Sequence, residues 1–405
     1  MTALPDLVLR MPGNDPARLA EIVGDAHIVA IGENNHSVRE FGALREQLVR
    51  FLVRELGFGV VAVESGFAEG GRVDAWIRNR GGDLDDVARD GFTFRAGDAD
   101  EMRALLGGLG EHHDAGGRVR FTGLDIPGSG GSPEPALGLV REHLATWAPE
   151  AVVFVDAAWS ATQAYVAPNN AAASQRYGEL DAATRDQATT ALARLFLRVE
   201  ALGPGPEHRV ARHHALGAIR LDEQLREFAV LSAPDPPAQV VSSRDVYMAE
   251  SVRLVRELLG ADERVVVLAH NGHLQRAPFT FLPGVSAASA GTYLAEEFGD
   301  DYVVIGLTAL TGSTPGLALD GAERHGIALH TEVLGDPPPG SIERAVAAAG
   351  LGREPVLLDL RPARGLQGPI SIRHATTQVP IDVLSGYDAL YCLPHQQPAA
   401  FVGGG

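Results

Sequence analysis

Ala26-His27-Ile28-Val29-Ala30-Ile31, Val60-Val61-Ala62-Val63 and Arg264-Val265-Val266-Val267-Leu268-Ala269 are short runs, apolar almost throughout, that give way at once to residues able to do chemistry. Runs of this kind lack the alternation of a half-exposed strand and are expected in parallel sheets. They confine the chain to an α/β architecture, a mostly parallel central sheet flanked by helices.

The local signals between the runs agree. Asp15 as N-cap and Pro16 at the first helical position predict a helix over 15–24. After the turn Gly32 to Asn35, Ser37 as N-cap with Glu40 three residues on opens a second helix. Its spacing Phe41, Leu44, Leu48, Phe51, Leu52, Leu56 stops at Gly57. Strand Val60 to Val63 then ends in Glu64, completing a βαβ unit. Residues 68–113 read as largely helical. Arg118 to Leu124 alternates like a strand, ends at Asp125, and runs into the Gly/Ser/Pro loop 127–133.

Helical spacing dominates 134–260, where Val152 to Val155 is a run that also fits a strand, and Pro234-Asp235-Pro236-Pro237 is an exposed connection. A helix opens at Arg244 and runs to about Leu259. Further strands are expected at 264–269, at 302–306 before a glycine-rich turn, at 355–359 and at 387–392, ahead of a disordered Gly-rich tail. Residues 1–133 and 261–405 are therefore expected to be two parts of one α/β core. Residues 134–260 form a helical insertion that caps the active-site cleft.

Composition removes several classes of function. The chain has 405 residues, 45% hydrophobic and 21% charged, enough for a sizeable core and against extended disorder. All 34 basic residues are Arg, so there is no lysine for a Schiff base or for a phosphate-binding loop. A net charge of -18 disfavours nucleic acid and anionic membrane and mildly favours a neutral or cationic ligand. Cys392 is the single cysteine and sits in an apolar run, which points to packing, excludes an internal disulfide and fits a cytoplasmic protein. The N-terminus has Pro and Asp where a signal peptide needs basic and apolar regions, and no stretch reaches the ~18 apolar residues of a membrane span.

Ligands of open α/β sheets bind beyond the carboxyl ends of the strands. Glu33, His36, Glu64, Asp125, His270 and His273 all fall there. A carboxylate beside an imidazole orients the ring, fixes its tautomer and suits activation of water. Gly-x-Ser-x-Gly is absent, which removes the usual serine hydrolase. His36, His270, His273 and Glu64 could supply an N,N,N,O set to zinc, but no His-Glu-x-x-His helix is present, and a divalent metal is not favoured. His112, His113, His213 and His214 lie on polar helical stretches and are expected to be solvated.

Gly32-Glu33-Asn34-Asn35-His36-Ser37-Val38-Arg39-Glu40-Phe41 is similar to the Gly-Glu-x-x-His-x-x-x-Glu-Phe pattern of the erythromycin esterase family. The resemblance extends to Val63-Glu64, Arg244-Asp245-Val246-Tyr247-Met248-Ala249, Ala269-His270-Asn271-Gly272-His273 and Gly291-Thr292-Tyr293-Leu294, in the same order. Asn34-Asn35-His36-Ser37 stands where many members carry Ala-Thr-His-Gly. The resemblance implies hydrolysis of a macrolide lactone without a covalent serine intermediate, a metal or another cofactor. By position, His36 would be the general base for water, and Glu33 and Glu64 would orient it or the water. His270 and His273 would complete the pocket, one protonating the leaving alkoxide or stabilising the oxyanion. Arg39, Asp125, Arg244 and Asp245 are expected to bind the substrate, a small-molecule ester or lactone. Acyl transfer or lactone formation in natural-product biosynthesis, and non-catalytic binding of a small molecule, stay open beside hydrolysis, as does the oligomeric state.

Overall fold

The computed structural model describes residues 16–232, 236–282, 284–320, 323 and 325–400. The expected cap at Asp15, part of the connection around Pro234 and the Gly-rich tail lie outside these residues. In chain order the strands are β1 (Ile28–Ile31), β2 (Val60–Gly66), β3 (Arg120–Asp125), β4 (Val265–Leu268), β5 (Phe279–Leu282), β6 (Val285–Ala287), β7 (Tyr302–Leu319), β8 (Ile327–Val333), β9 (Val356–Asp359), β10 (Ser371–His374), β11 (Thr377–Pro380) and β12 (Ala389–Gln396).

The central sheet has the order β3-β2-β4-β1-β7-β12-β9, with β8 paired to β7, while β5–β6 and β10–β11 are separate hairpins. Every neighbour from β3 to β12 is parallel; β9 and β8 are antiparallel to their partners. Because β4 lies between β2 and β1, strands from the start of the chain and from beyond residue 264 interleave in one sheet. Ile31 is level with Leu268 and Ile305, and Val63 with Leu268, so the segments after β1, β2 and β4 emerge at one edge.

The apolar spacing of helix Arg39–Glu55 puts Phe41, Leu44, Leu48, Val49 and Leu52 on one face of the sheet. Helix Ser243–Leu259 covers the other with Met248, Ala249, Val252 and Val255. Ser37 is not the cap of the first of these helices. Val38 occupies that position, and Ser37 adopts a left-handed φ of 56°. The chain after β12 passes this turn: Ala399 N–H donates to Ser37 O, Arg39 N–H to Gln397 O, and Gln397 N–H to Glu40. Main-chain pairing thus replaces the expected side-chain cap.

Two other expectations change. Val152–Thr162 is a helix; its first apolar residues carry no period, and Val153 is 61% exposed while Val155 is buried. The strand expected to end near Gly306 runs on to Leu319: it follows β12 as far as Gly312 and then forms an arm with β8. Gly312 turns the corner at φ 115°, where a Cβ would lie 1.9 Å from Gln396 O.

The helices between Glu134 and Leu231 hold an apolar centre of their own around Leu137, Val140, Leu144, Val155, Leu192 and Leu195. His213 and His214, expected in solvent, are buried there: His213 stacks on Tyr247 and hydrogen-bonds Ser251. Among the described residues no helix is long and apolar enough to cross a membrane.

Candidate active site

The β1 turn is shaped by one close approach. A Cβ on Gly32 would lie 2.0 Å from Asn271 Oδ1, so only glycine fits. The Asn271 amide in turn donates to Leu307 O and accepts from Leu307 N–H, and its own N–H donates to Glu33 O. The loops after β1 and β4 are thereby locked to β7. Glu33, buried, accepts from Arg45 Nη1 at 2.7 Å and from His36 Nδ1 at 2.8 Å. Arg45 also donates to the carbonyls of Ile31, Gly32 and Ala269, tying the ends of two strands to one carboxylate.

Glu64 is the hub. Its Oε2 accepts from His270 N–H at 2.6 Å, and its Oε1 from Arg244 Nη2 at 2.7 Å. The same Oε1 stands 3.6 Å from His36 Nε2 and 3.5 Å from His273 Nε2. Asp125, at the end of β3, holds the Arg244 guanidinium from behind at 2.6–3.0 Å. Asp245 accepts from His273 Nδ1 at 2.7 Å and from Ala290 N–H. Each of two imidazoles thus has a carboxylate behind Nδ1 and faces Glu64 with Nε2.

His270 differs. Its Nε2–H donates to Asn34 O and its Nδ1 accepts from Gly272 N–H, capping the short helix Asn271–Leu274. Both nitrogens are occupied by main chain, which fixes the neutral Nε2–H tautomer. His36, His270, His273 and Glu64 therefore do not converge as metal donors, and no group of three or more His, Cys, Asp or Glu among the described residues is arranged to hold an ion.

The electrostatics separate the three rings. The His36 side chain is 53% exposed; the desolvation it does undergo is outweighed by Glu64 and Glu33 beside it, which push its pKa up to about 10. Burial and the neighbouring His36 push His270 down to about 3. His273 is raised, burial being overcome by Asp245 and Glu64. Against the same burial, His36, His273 and Arg244 hold Glu64 well below the ordinary carboxylate range, and Arg45 and His36 lower Glu33.

The cluster opens on a cavity of about 400 Å³, walled by Phe94, Met102, Leu105, Leu317, Ile327 and Leu329. Its roof comes mainly from the 93–105 segment and the β7–β8 arm; of residues 134–260, Asn170 and Arg244 reach the cavity. Asn169 and Arg95 join that arm at His325 O and Glu323. A larger hollow of about 890 Å³ near the start of β3 contains none of the cluster.

Of the nine residues singled out in the sequence, Glu33, His36, Glu64, Arg244, His270 and His273 meet at the cavity. Asp125 and Asp245 lie behind it as buried partners, and Arg39 is exposed and outside its lining. Sequence reasoning missed Arg45, whose signal was an arginine on the apolar face of a helix, and His374, which packs beneath His270.

A mostly parallel sheet that gathers imidazoles and carboxylates beyond its strand ends defines an α/β protein with a cluster of paired ionisable groups at one sheet edge. Residues 53–395 match the family model described as erythromycin esterase, and the chain belongs to that family. It is accordingly a hydrolase of the esterase kind. It is 29% identical over 381 residues to erythromycin esterase type II of Escherichia coli, covering 92% of this chain and 90% of the relative. To erythromycin esterase type I of Escherichia coli it is 26% identical, covering 73% of each chain. A mutant of the erythromycin esterase EreC in its open conformation has the same fold, with a TM-score of 0.82 at 22% identity, covering 96% of this chain and 95% of that one.

Proposed function

We propose that the chain hydrolyses a carboxylic ester or macrolide lactone with a water activated by His36 and Glu64, without a covalent intermediate and without a metal. The observation that carries this reading is the placing of Glu64 Oε1 at 3.6 Å from His36 Nε2 and 3.5 Å from His273 Nε2. Both separations exceed a good hydrogen bond, which leaves His36 Nε2 available to a reacting oxygen beside the carboxylate, while His273 Nε2 accepts from Arg244 Nη1 at 3.2 Å.

In this reading His36, oriented by Glu33, takes the proton of the attacking water. Since the free site holds His36 protonated, the active form is the one that has given that proton up. His273, its pKa raised by Asp245, protonates the leaving alkoxide once the substrate parts its Nε2 from Arg244 Nη1. Arg244, fixed by Asp125 and Glu64, faces the charge of the tetrahedral intermediate. Cys392 is buried in β12, and burial pushes its thiol up, which suits packing rather than attack. The apolar walls suit an alkyl or acyl portion of the substrate.

The test is a screen of macrolides and simpler esters in 18O-labelled water with mass detection, with and without EDTA. The reading expects one labelled oxygen in the acid product and no effect of EDTA. Unlabelled product would indicate acyl transfer, and binding without product would indicate a non-catalytic binder.

A further inference from the structure

His374, at the end of β10, is far in sequence from every residue of the cluster, yet its ring lies edge to face against His270, with centroids 4.6 Å apart and planes at 85°. On its other side it stacks on Phe279 at 5.7 Å. It is 6% exposed, and neither of its ring nitrogens has a hydrogen-bond partner. Bare nitrogens at such a depth are costly and call for an explanation. The adjacent turn fixes where the ring sits: Ala375 N–H donates at 2.8 Å to Asn34 O, the same carbonyl that accepts His270 Nε2–H. Ala375 does so at a positive φ of 50°, an unusual conformation for alanine.

We propose that His374 is a positioning residue: its ring closes the inner side of His270 and holds that imidazole in the one orientation that meets Asn34 and caps the helix Asn271–Leu274. The inference rests on the proposed role of His36 and Glu64, because His270 is what connects His374 to them. The His270 N–H holds Glu64 Oε2, and its ring lies 5.5 Å from that of His36. The charged or titratable groups facing His270 are His36, Glu33, Glu64 and His273, with His374 behind. In this row of three imidazoles His36 alone carries charge; His374, like His270, is held neutral by burial. Were water also to enter on the side that His374 covers, a second proton on His270 would compete with the one on His36.

The test compares 15N-histidine spectra of wild type, His374→Phe and His374→Ala over the neutral pH range, alongside kcat/KM for an ester that the wild type turns over. His374→Phe keeps the packing ring and is expected to leave His270 as a neutral, non-titrating Nε2–H tautomer with near wild-type turnover. His374→Ala is expected to let His270 exchange tautomers and titrate, and to lower kcat/KM by about a hundredfold, as small misplacements in a catalytic site do. Unchanged His270 signals in His374→Ala, or equal disturbance in both variants, would overturn the proposal. A wild type that cleaves no ester would refute the hydrolytic reading instead, while the spectra would still decide the role of His374.

Discussion

His36 Nε2 and Glu64 Oε1 face each other at 3.6 Å, closer than unlike charges need to be to couple strongly and farther than a good hydrogen bond. Glu33 holds the far side of the same ring at 2.8 Å. The imidazole is thus suspended between two carboxylates, and the space beside Glu64 is left to a reacting oxygen.

Replacing either partner should abolish that arrangement. His36→Ala and Glu64→Gln are each expected to lower kcat/KM by about 10²–10⁴-fold, the usual span for a positioned acid or base. Circular dichroism should show an intact fold in both. Near wild-type turnover in either variant would remove that residue from the chemistry.

Arg45 should behave differently, as part of the fold. It is 8% exposed, pairs with Glu33 and ties three carbonyls at the ends of β1 and β4. Removing one partner of a buried ion pair costs about 3–5 kcal/mol, and Arg45→Met should lower stability by that order in urea unfolding. A loss of activity with no loss of stability would contradict this account.

The strand runs, the βαβ opening and six of the residues meeting at the cavity were legible in the sequence, because buried parallel strands and the chemistry at their ends leave local marks. Arg45 left a weaker mark, an arginine amid Phe41, Leu44 and Leu48, readable once a buried carboxylate is expected nearby. The β7–β8 arm and His374 left none. The path of β7 beyond Gly306 is set by pairing with β12 and β8, and the place of His374 by a hairpin docking on Asn34, both long-range events. Ser37 misled for the same reason, since the cap was displaced by the chain after β12.

Gly32→Ala should be destabilising out of proportion to its size. The added methyl would meet Asn271 Oδ1 at 2.0 Å, forcing apart the loops that carry Glu33 and His270. Overpacking of this kind costs about 1–3 kcal/mol, and the melting temperature should fall with turnover. A variant as stable and active as the wild type would show that Asn271 can shift freely.

Stability should also fall in acid. Glu33, Glu64 and Asp245 each have folded pKa values below the ordinary carboxylate value. Their stabilisation is therefore complete above the unfolded carboxylate pKa and is lost as pH falls through the folded values. His36, raised to about 10, contributes in the opposite sense: its stabilisation is full below the unfolded histidine pKa and disappears as pH climbs through about 10. Urea midpoints across pH should fall at both ends. His36→Ala should flatten the alkaline fall, and an unchanged alkaline limb would contradict the assignment.

The central claim is that His36 takes the proton of the attacking water, and the pH profile of kcat/KM for wild type and His36→Ala tests it most directly. If His36 must first lose the proton that Glu64 and Glu33 hold on it, wild-type kcat/KM rises with pH through the neutral range until His273 gives up its own proton, and the variant loses that rising limb. A wild-type profile flat from neutral pH upward, or the same limb persisting in His36→Ala, would contradict the claim.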